Sequence, residues 1–260
     1  MPDLVLAEDR GAVRHLVLNR PDKRNALNAE LVLAIRHAFR AAADDPAVRC
    51  VVLRGAGPVF SAGMDVAALA GAAGSPEQLR AFRRGCIEAY NLAEEMTKPV
   101  VAQIHGACLG GALELALACD LRVFSADAVA GLVETRLGLV PDLGGCSRLP
   151  QVVGVGRAKE MIMTSRILGA EEAERFGLAN RVAPPERLDA VTQELVDELL
   201  ACAPVAIGLA KRLVDASARP ALSTTLEMEV AAQELCARTE DVKEGVRAAA
   251  ERRAPSFTGR

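Results

Sequence analysis

The sequence predicts an α/β protein in which strand–strand–helix turns stack on one another and a strandless helical region follows. Three observations carry this reading. Apolar runs at Cys50–Arg54 and Val100–Ile104, about fifty residues apart, each lead into a glycine turn and then helical sequence. The chain is 51% apolar over 260 residues, enough for one large core without staples. Past Ala203 three Ala-rich amphipathic segments follow with no strand between them.

The elements follow in order. Residues 3–7 and 12–18 are short β-branched and Leu-rich runs around Asp9-Arg10-Gly11, which predicts an opening hairpin. R-P-D-K-R-N-A-L-N is a loop, and Asn28 is placed to cap a helix over 29–43, with Glu30 in its first turn and Asp44-Asp45-Pro46 as its stop. After the Cys50–Arg54 strand, F-S-A-G-M-D at 60–65 is a small-residue turn leading to helical sequence. Gly71 to Ser75 reads as a flexible break, and 76–96 as an amphipathic helix.

The stretch from Lys98 to Leu149 carries the chemistry. A buried strand at Val100–Ile104 turns through Gly106 and Gly110-Gly111 into A-L-E-L-A-L-A-C, apolar all round except for Glu114. An ionised carboxylate in such a helix is costly unless paired, neutralised or functional. A helix beginning near Gly111 puts Glu114 one turn in, on the side of a first-turn amide with no partner inside the helix, at the electropositive end. That juxtaposition suits stabilisation of a developing oxyanion with proton transfer. Pairing of Glu114 with a nearby arginine such as Arg122 accounts for the pattern equally well.

Composition narrows the classes. A net charge of −3 gives no electrostatic reason to expect nucleic acid, and no long apolar run free of charge predicts a membrane span. The seven cysteines (Cys50, Cys86, Cys108, Cys119, Cys146, Cys202 and Cys236) are odd in number and form no C-x-x-C pair. They read as buried free thiols of a reducing compartment. With no apolar leader in M-P-D-L-V-L-A-E-D-R, the expected location is the cytoplasm. G-A-C-L-G-G at 106–111 and G-V-G-R-A-K at 154–159 lack the dinucleotide spacing, and no Walker sequence occurs.

F-S-A-G-M-D at 60–65, H-G-A-C-L-G-G-A-L-E at 105–114 and V-E-T-R-L-G-L-V-P-D-L-G-G at 133–145 stand in fixed order. Together they resemble the crotonase superfamily of enoyl-CoA hydratases and isomerases. R-P-D-K-R-N-A-L-N and E-G-V-R-A-A-A-E-R-R-A-P-S-F resemble its flanking motifs, so the likeness spans essentially the whole chain. The resemblance implies a crotonase-like spiral of ββα units over 1–200, with an acyl-CoA site, and a helical C-terminal trimerisation region over 201–260. It implies a homotrimer or dimer of trimers and no cofactor beyond the coenzyme A of the substrate. Met64 and Gly111 are then the amides of an oxyanion hole, and Glu114 and Glu134 the two carboxyl groups that hold one water. The implied substrate contacts are Lys23, Arg24, Ala26, Ser61, Ala62, Gly63, Asp65, Val66 and Gly110. Lys23 and Arg24 would face the nucleotide phosphates, although Lys23 also fits a solvated charge before a helix. Arg253 and Phe257 would reach a neighbouring subunit's ligand.

Asp142 departs from the hydratase pattern, which usually has a small residue there. The dienoyl-CoA isomerase branch carries an acid at this place, and Glu134 with Asp142 could move a proton along an acyl chain. That branch tends to have Asp where this chain has Glu114, and a loop carboxylate capping amides near Gly144-Gly145 is a further reading. The expected activity is enoyl-CoA hydration, with double-bond isomerisation second and a non-catalytic CoA-binding scaffold third.

Overall fold

A computed structural model describes residues 3–72, 75–218 and 222–256. The hairpin is present as β1 (Val5–Arg10) and β2 (Val13–Leu18), antiparallel with Arg10 opposite Val13. Helix α1 (Ala29–Asp44) is capped by Asn28, whose side chain accepts from the Leu31 amide at 3.0 Å. Strand β3 (Cys50–Gly55) lies parallel to β2. Helix α2 (Val66–Ala72) then precedes α3 (Pro76–Glu95). The break expected at 71–75 is narrower than the glycines suggested. Gly71 is helical, Ser75 caps α3 through the Gln78 amide, and residues 73 and 74 lie outside the described residues.

Next come β4 (Val100–Ile104), β5 (Ala107–Leu109), α4 (Gly111–Ala118), β6 (Leu121–Ser125) and β7 (Val129–Gly131). They are followed by α5 (Gly145–Val153), α6 (Val155–Met163), β8 (Ile167–Gly169), α7 (Ala170–Phe176), β9 (Arg181–Ala183) and α8 (Leu188–Leu200). Three helices close the described chain: α9 (Pro204–Ala218), α10 (Leu222–Ala237) and α11 (Glu240–Glu251).

The strands form two sheets, β1-β2-β3-β4-β6-β9 and the small β5-β7-β8. Successive turns of chain feed both. β4 and β6 enter the large sheet in parallel, while β5 and β7, which follow them directly, enter the small one. The turn after β3 joins the small sheet through a bridge from Ser61 to Cys108. This is the stacked strand–strand–helix repeat that the fifty-residue recurrence predicted. Alternation along β3 explains its unbroken apolar run: Val51 and Leu53 enter the main core, while Cys50 and Val52 face α8 through Leu188, Leu195 and Val196.

Cys50, Cys86, Cys108 and Cys119 are buried free thiols as expected, whereas Cys146 and Cys236 are half-buried and Cys202 is exposed. The Arg253 guanidinium pairs with Glu244 and Glu251, nine and two residues back along the chain. Phe257 lies outside the described residues.

Candidate active site

Helix α4 is buried at every residue, and Glu114 within it is 1% exposed. Its Oε1 accepts from the amides of Leu143 and Gly145, both at 2.8 Å, so the carboxyl group is fixed against the loop that precedes α5. Arg122, the alternative partner, donates instead to the carbonyls of Leu178, Ala116 and Cys119 and braces the far end of α4. Glu114 is therefore held at the start of α5 and is not paired with Arg122.

Two amides converge beside it. Gly63 O accepts from Leu27 N at 2.8 Å and Asp65 N donates to Leu27 O at 2.9 Å, which turns the intervening Met64 N–H to the opposite side. Gly111 opens α4, and its N–H is one of the first-turn donors that the helix cannot use. Among the described residues neither N–H donates a backbone hydrogen bond. The two residues touch: a Cβ on Gly111 would lie 2.7 Å from Met64 Sδ. The Tyr90 hydroxyl donates to Gly111 O at 2.9 Å and fixes the first turn of α4 to α3.

Glu134 starts a 3-10 turn, Glu134–Leu137, after β7. The residue is half-buried, yet its Oε2 is sealed from solvent with no hydrogen-bond partner among the described residues. Glu134 Oε1 packs against Gly110, where φ is +54° and a Cβ would sit 2.9 Å from it. Burial first, and the charge of Asp142 after it, push the Glu134 carboxyl up to about 7. Burial raises Asp142 as well, partly offset by the Arg83 guanidinium 3.4 Å from its Oδ2. Asp142 lines the same cavity as Glu134, and the Gly145 amide donates to Glu114. Glu134 and Asp142 titrate as a unit.

A cavity of about 150 Å³ gathers these groups: Met64, Gly111, Glu114, Glu134 and Asp142 line it, with Leu69, Val133, Leu137, Leu139, Val140 and Leu143 as its apolar wall. Larger cavities of about 460, 550 and 390 Å³ lie against α9 or between α3 and α10, and none is lined by Met64 or Gly111. We assign the site by its chemistry and not by size.

Of the expected substrate contacts, Ala62, Gly63, Val66 and Gly110 line this cavity. Ser61, Asp65, Ala26, Lys23 and Arg24 do not. The Ser61 hydroxyl is buried, donating to Asn25 O and accepting from Gly63 N, so it shapes the turn from behind. Asp65 is spent on Arg20 at 2.8 Å and on the first amides of α2. Ala26 is half-buried and its carbonyl accepts from Arg20. Lys23 and Arg24 are exposed, and Arg24 O accepts from Ala62 N at 2.9 Å, which sets the basic loop against the 60–65 turn.

Four supporting residues escaped sequence reasoning. Asn25 is fully buried and its amide donates to the carbonyls of Ala56, Val59 and Phe60, pinning the turn before Met64. Gln233 of α10 lines the cavity and accepts from Val140 N at 3.0 Å. Arg83 holds the Asp142 segment. Tyr90 carried the one available signal, as the sole tyrosine in an aromatic-poor chain.

The sequence matches the profile of the enoyl-CoA hydratase/isomerase family over residues 8–260. It is 35% identical over 254 residues to a crotonyl-CoA hydratase of Syntrophomonas wolfei, covering 97% of both chains. It is 33% identical to a short-chain-enoyl-CoA hydratase of Clostridium acetobutylicum, covering 96% of this chain and 95% of that one. Among solved structures, an enoyl-CoA hydratase from Mycobacterium avium subsp. paratuberculosis superposes with a TM-score of 0.89 at 29% identity, covering 98% of each chain.

Proposed function

Because the chain belongs to the enoyl-CoA hydratase/isomerase family, we propose that it is an enoyl-CoA hydratase, adding water across the 2-trans double bond of an enoyl-CoA thioester. The observation that carries this reading is the meeting, in one apolar-walled cavity, of two unused peptide N–H groups with Glu114 and Glu134. The thioester oxygen accepts from Met64 N–H and Gly111 N–H. Glu114 takes a proton from a water whose oxygen bonds to the β-carbon, and the double-bond electrons move onto the thioester as an enolate. The two amides are already in place for that charge, so its stabilisation needs little reorganisation. Glu134, held neutral by burial, returns a proton to the α-carbon and leaves a 3-hydroxyacyl thioester. The reaction is redox-neutral and calls for no cofactor beyond the substrate's own coenzyme A.

Lys23 and Arg24, exposed beside the oxyanion turn, are the groups we assign to the CoA phosphates. Residues 201–260 form the proposed oligomerisation region of a homotrimer or dimer of trimers. Val205, Leu209 and Leu213 make a stripe on α9 at four-residue spacing, each more than half exposed. The buried free thiols of Cys50, Cys86, Cys108 and Cys119 suit a reducing, cytoplasmic setting. Among the described residues no helix is long and apolar enough to cross a membrane.

Asp142 supports a second reading, double-bond isomerisation, because it adds another acid to the same cavity. A 2-trans-enoyl-CoA and a 3,5-dienoyl-CoA separate the two: hydration removes the conjugated chromophore of the first, isomerisation creates one from the second. Loss of the first signal at catalytic rate supports hydration. A response confined to the dienoyl substrate gives the isomerase reading, and CoA binding with no turnover of either gives the scaffold.

A further inference from the structure

Arg83 lies outside the cavity lining yet is 7% exposed, an expensive place for a guanidinium unless its charge and donors are matched. It ties three elements together. From α3 its Nε donates to Asp142 O at 2.9 Å, its Nη2 donates to Leu226 O on α10 at 2.8 Å, and its Nε stands 3.4 Å from Asp142 Oδ2. Asp142 is the carboxylate it meets within ion-pair distance among the described residues. The titratable groups around Asp142 are Arg83, Cys86 and Tyr90 from α3, Glu114 from α4, Glu134 from the 3-10 turn and Cys236 from α10. Arg83 is the cation in that set. Burial pushes Cys86, Tyr90 and Cys236 upward, so they stay neutral around it.

Two acids in one cavity and a counter-charge on one of them make an asymmetric pair. We propose that Arg83 is a positioning residue that assigns the shared proton: its charge holds Asp142 as the anion, and that anion keeps Glu134 as the acid. Asp142 then serves hydration without touching the attacking water, by repelling the second negative charge that would disarm Glu134. This rests on the hydratase reading of the site.

The test is the pH profile of kcat on crotonyl-CoA, whose alkaline limb reports loss of the Glu134 proton. Without Arg83 the pair's proton passes to Asp142 and Glu134 ionises earlier. Arg83→Met therefore moves the limb toward acid by about one pH unit or more, the scale of an opposite charge at this range. Arg83→Lys keeps the limb in place, Asp142→Asn moves it in the same direction, and Arg83→Met adds nothing in the Asp142→Asn background. Carbon-13 NMR of glutamate-labelled protein, with Glu134 identified by its loss in Glu134→Gln, reads the same titration without turnover. An unmoved limb in Arg83→Met or Asp142→Asn, a Lys variant that behaves like Met, or additive shifts in the double variant overturns the proposal. A wild-type protein that does not turn over crotonyl-CoA sinks the hydratase reading instead, and the NMR titration still decides the role of Arg83.

Discussion

At the scale of single residues, two carboxyl groups divide the labour, and their surroundings say how. In the proposed hydration Glu114, held by two amides, takes the water, and Glu134, whose Oε2 is sealed with no hydrogen-bond partner among the described residues, serves the α-carbon. Glu114→Gln and Glu134→Gln are each expected to lower hydration by about 10²–10⁴-fold, the usual worth of a positioned acid or base, with CoA affinity little changed. Steady-state rates beside calorimetric binding of a saturated acyl-CoA check both halves. The same environment makes a stability prediction. Glu134 stays protonated in the folded chain up to about 7, whereas an unfolded glutamate releases its proton near the ordinary carboxylate range. Between those limits the folded state holds the extra proton, so stability falls as pH rises through that window. Glu134→Gln should accordingly melt higher than wild type at pH 8, by about 2–8 °C, and no higher at pH 4, where the glutamate is neutral in both states. A variant that melts lower at pH 8 would refute the burial argument.

At the scale of elements, the site depends on how the first turn of α4 is held. Tyr90→Phe removes a buried hydrogen bond to Gly111 O, at a cost of about 1 kcal/mol. A fall of about 2–4 °C in the thermal midpoint is expected, with kcat lowered and KM little changed, because the neighbouring amide acts mainly on the enolate. Gly110→Ala should cost more activity than Tyr90→Phe. Its φ of +54° disfavours a side chain, and the new methyl would displace the Glu134 carboxyl. Comparing the two variants by melting and kinetics separates loosening of the turn from displacement of the acid. These elements also show what could be read from the chain beforehand. The all-apolar A-L-E-L-A-L-A-C run made α4 and its odd Glu114 visible, since helix burial is written in local pattern. The clamps on the 139–144 loop were not visible. Gln233, Arg148 and Arg83 reach it from α10, α5 and α3, and such meetings depend on tertiary placement that no local period encodes. The inward turn of the Ser61 and Asp65 side chains was hidden for the same reason.

At the scale of the whole molecule, the candidate cavity draws its lining from Ala62 to Gln233, and so from both the spiral core and the C-terminal helices. What a single chain leaves uncovered is the outer face of α9. Val205 is 74% exposed, Leu209 57% and Leu213 70%, and their spacing of four places them on one side of the helix. Opposite that stripe α9 is anchored to the core: Lys211 donates to Ala93 O and pairs with Asp120, both at 2.8 Å, and Gly208 packs on Thr97. A helix fixed on one side and apolar on the other is suited to burial against a second copy of the chain. Sedimentation equilibrium of the wild-type protein should therefore return a multiple of the 27.4 kDa chain mass. Leu209→Glu with Leu213→Glu should reduce it toward one chain, since buried unpaired carboxylates oppose association. Hydration should survive in that variant apart from any loss of stability, because the amides, both glutamates and the wall of the cavity belong to one subunit. A wild-type protein that sediments as a single chain would remove the assembly role from residues 201–260. A dissociated variant that folds but has lost turnover would show instead that α9 and its partner hold the site closed.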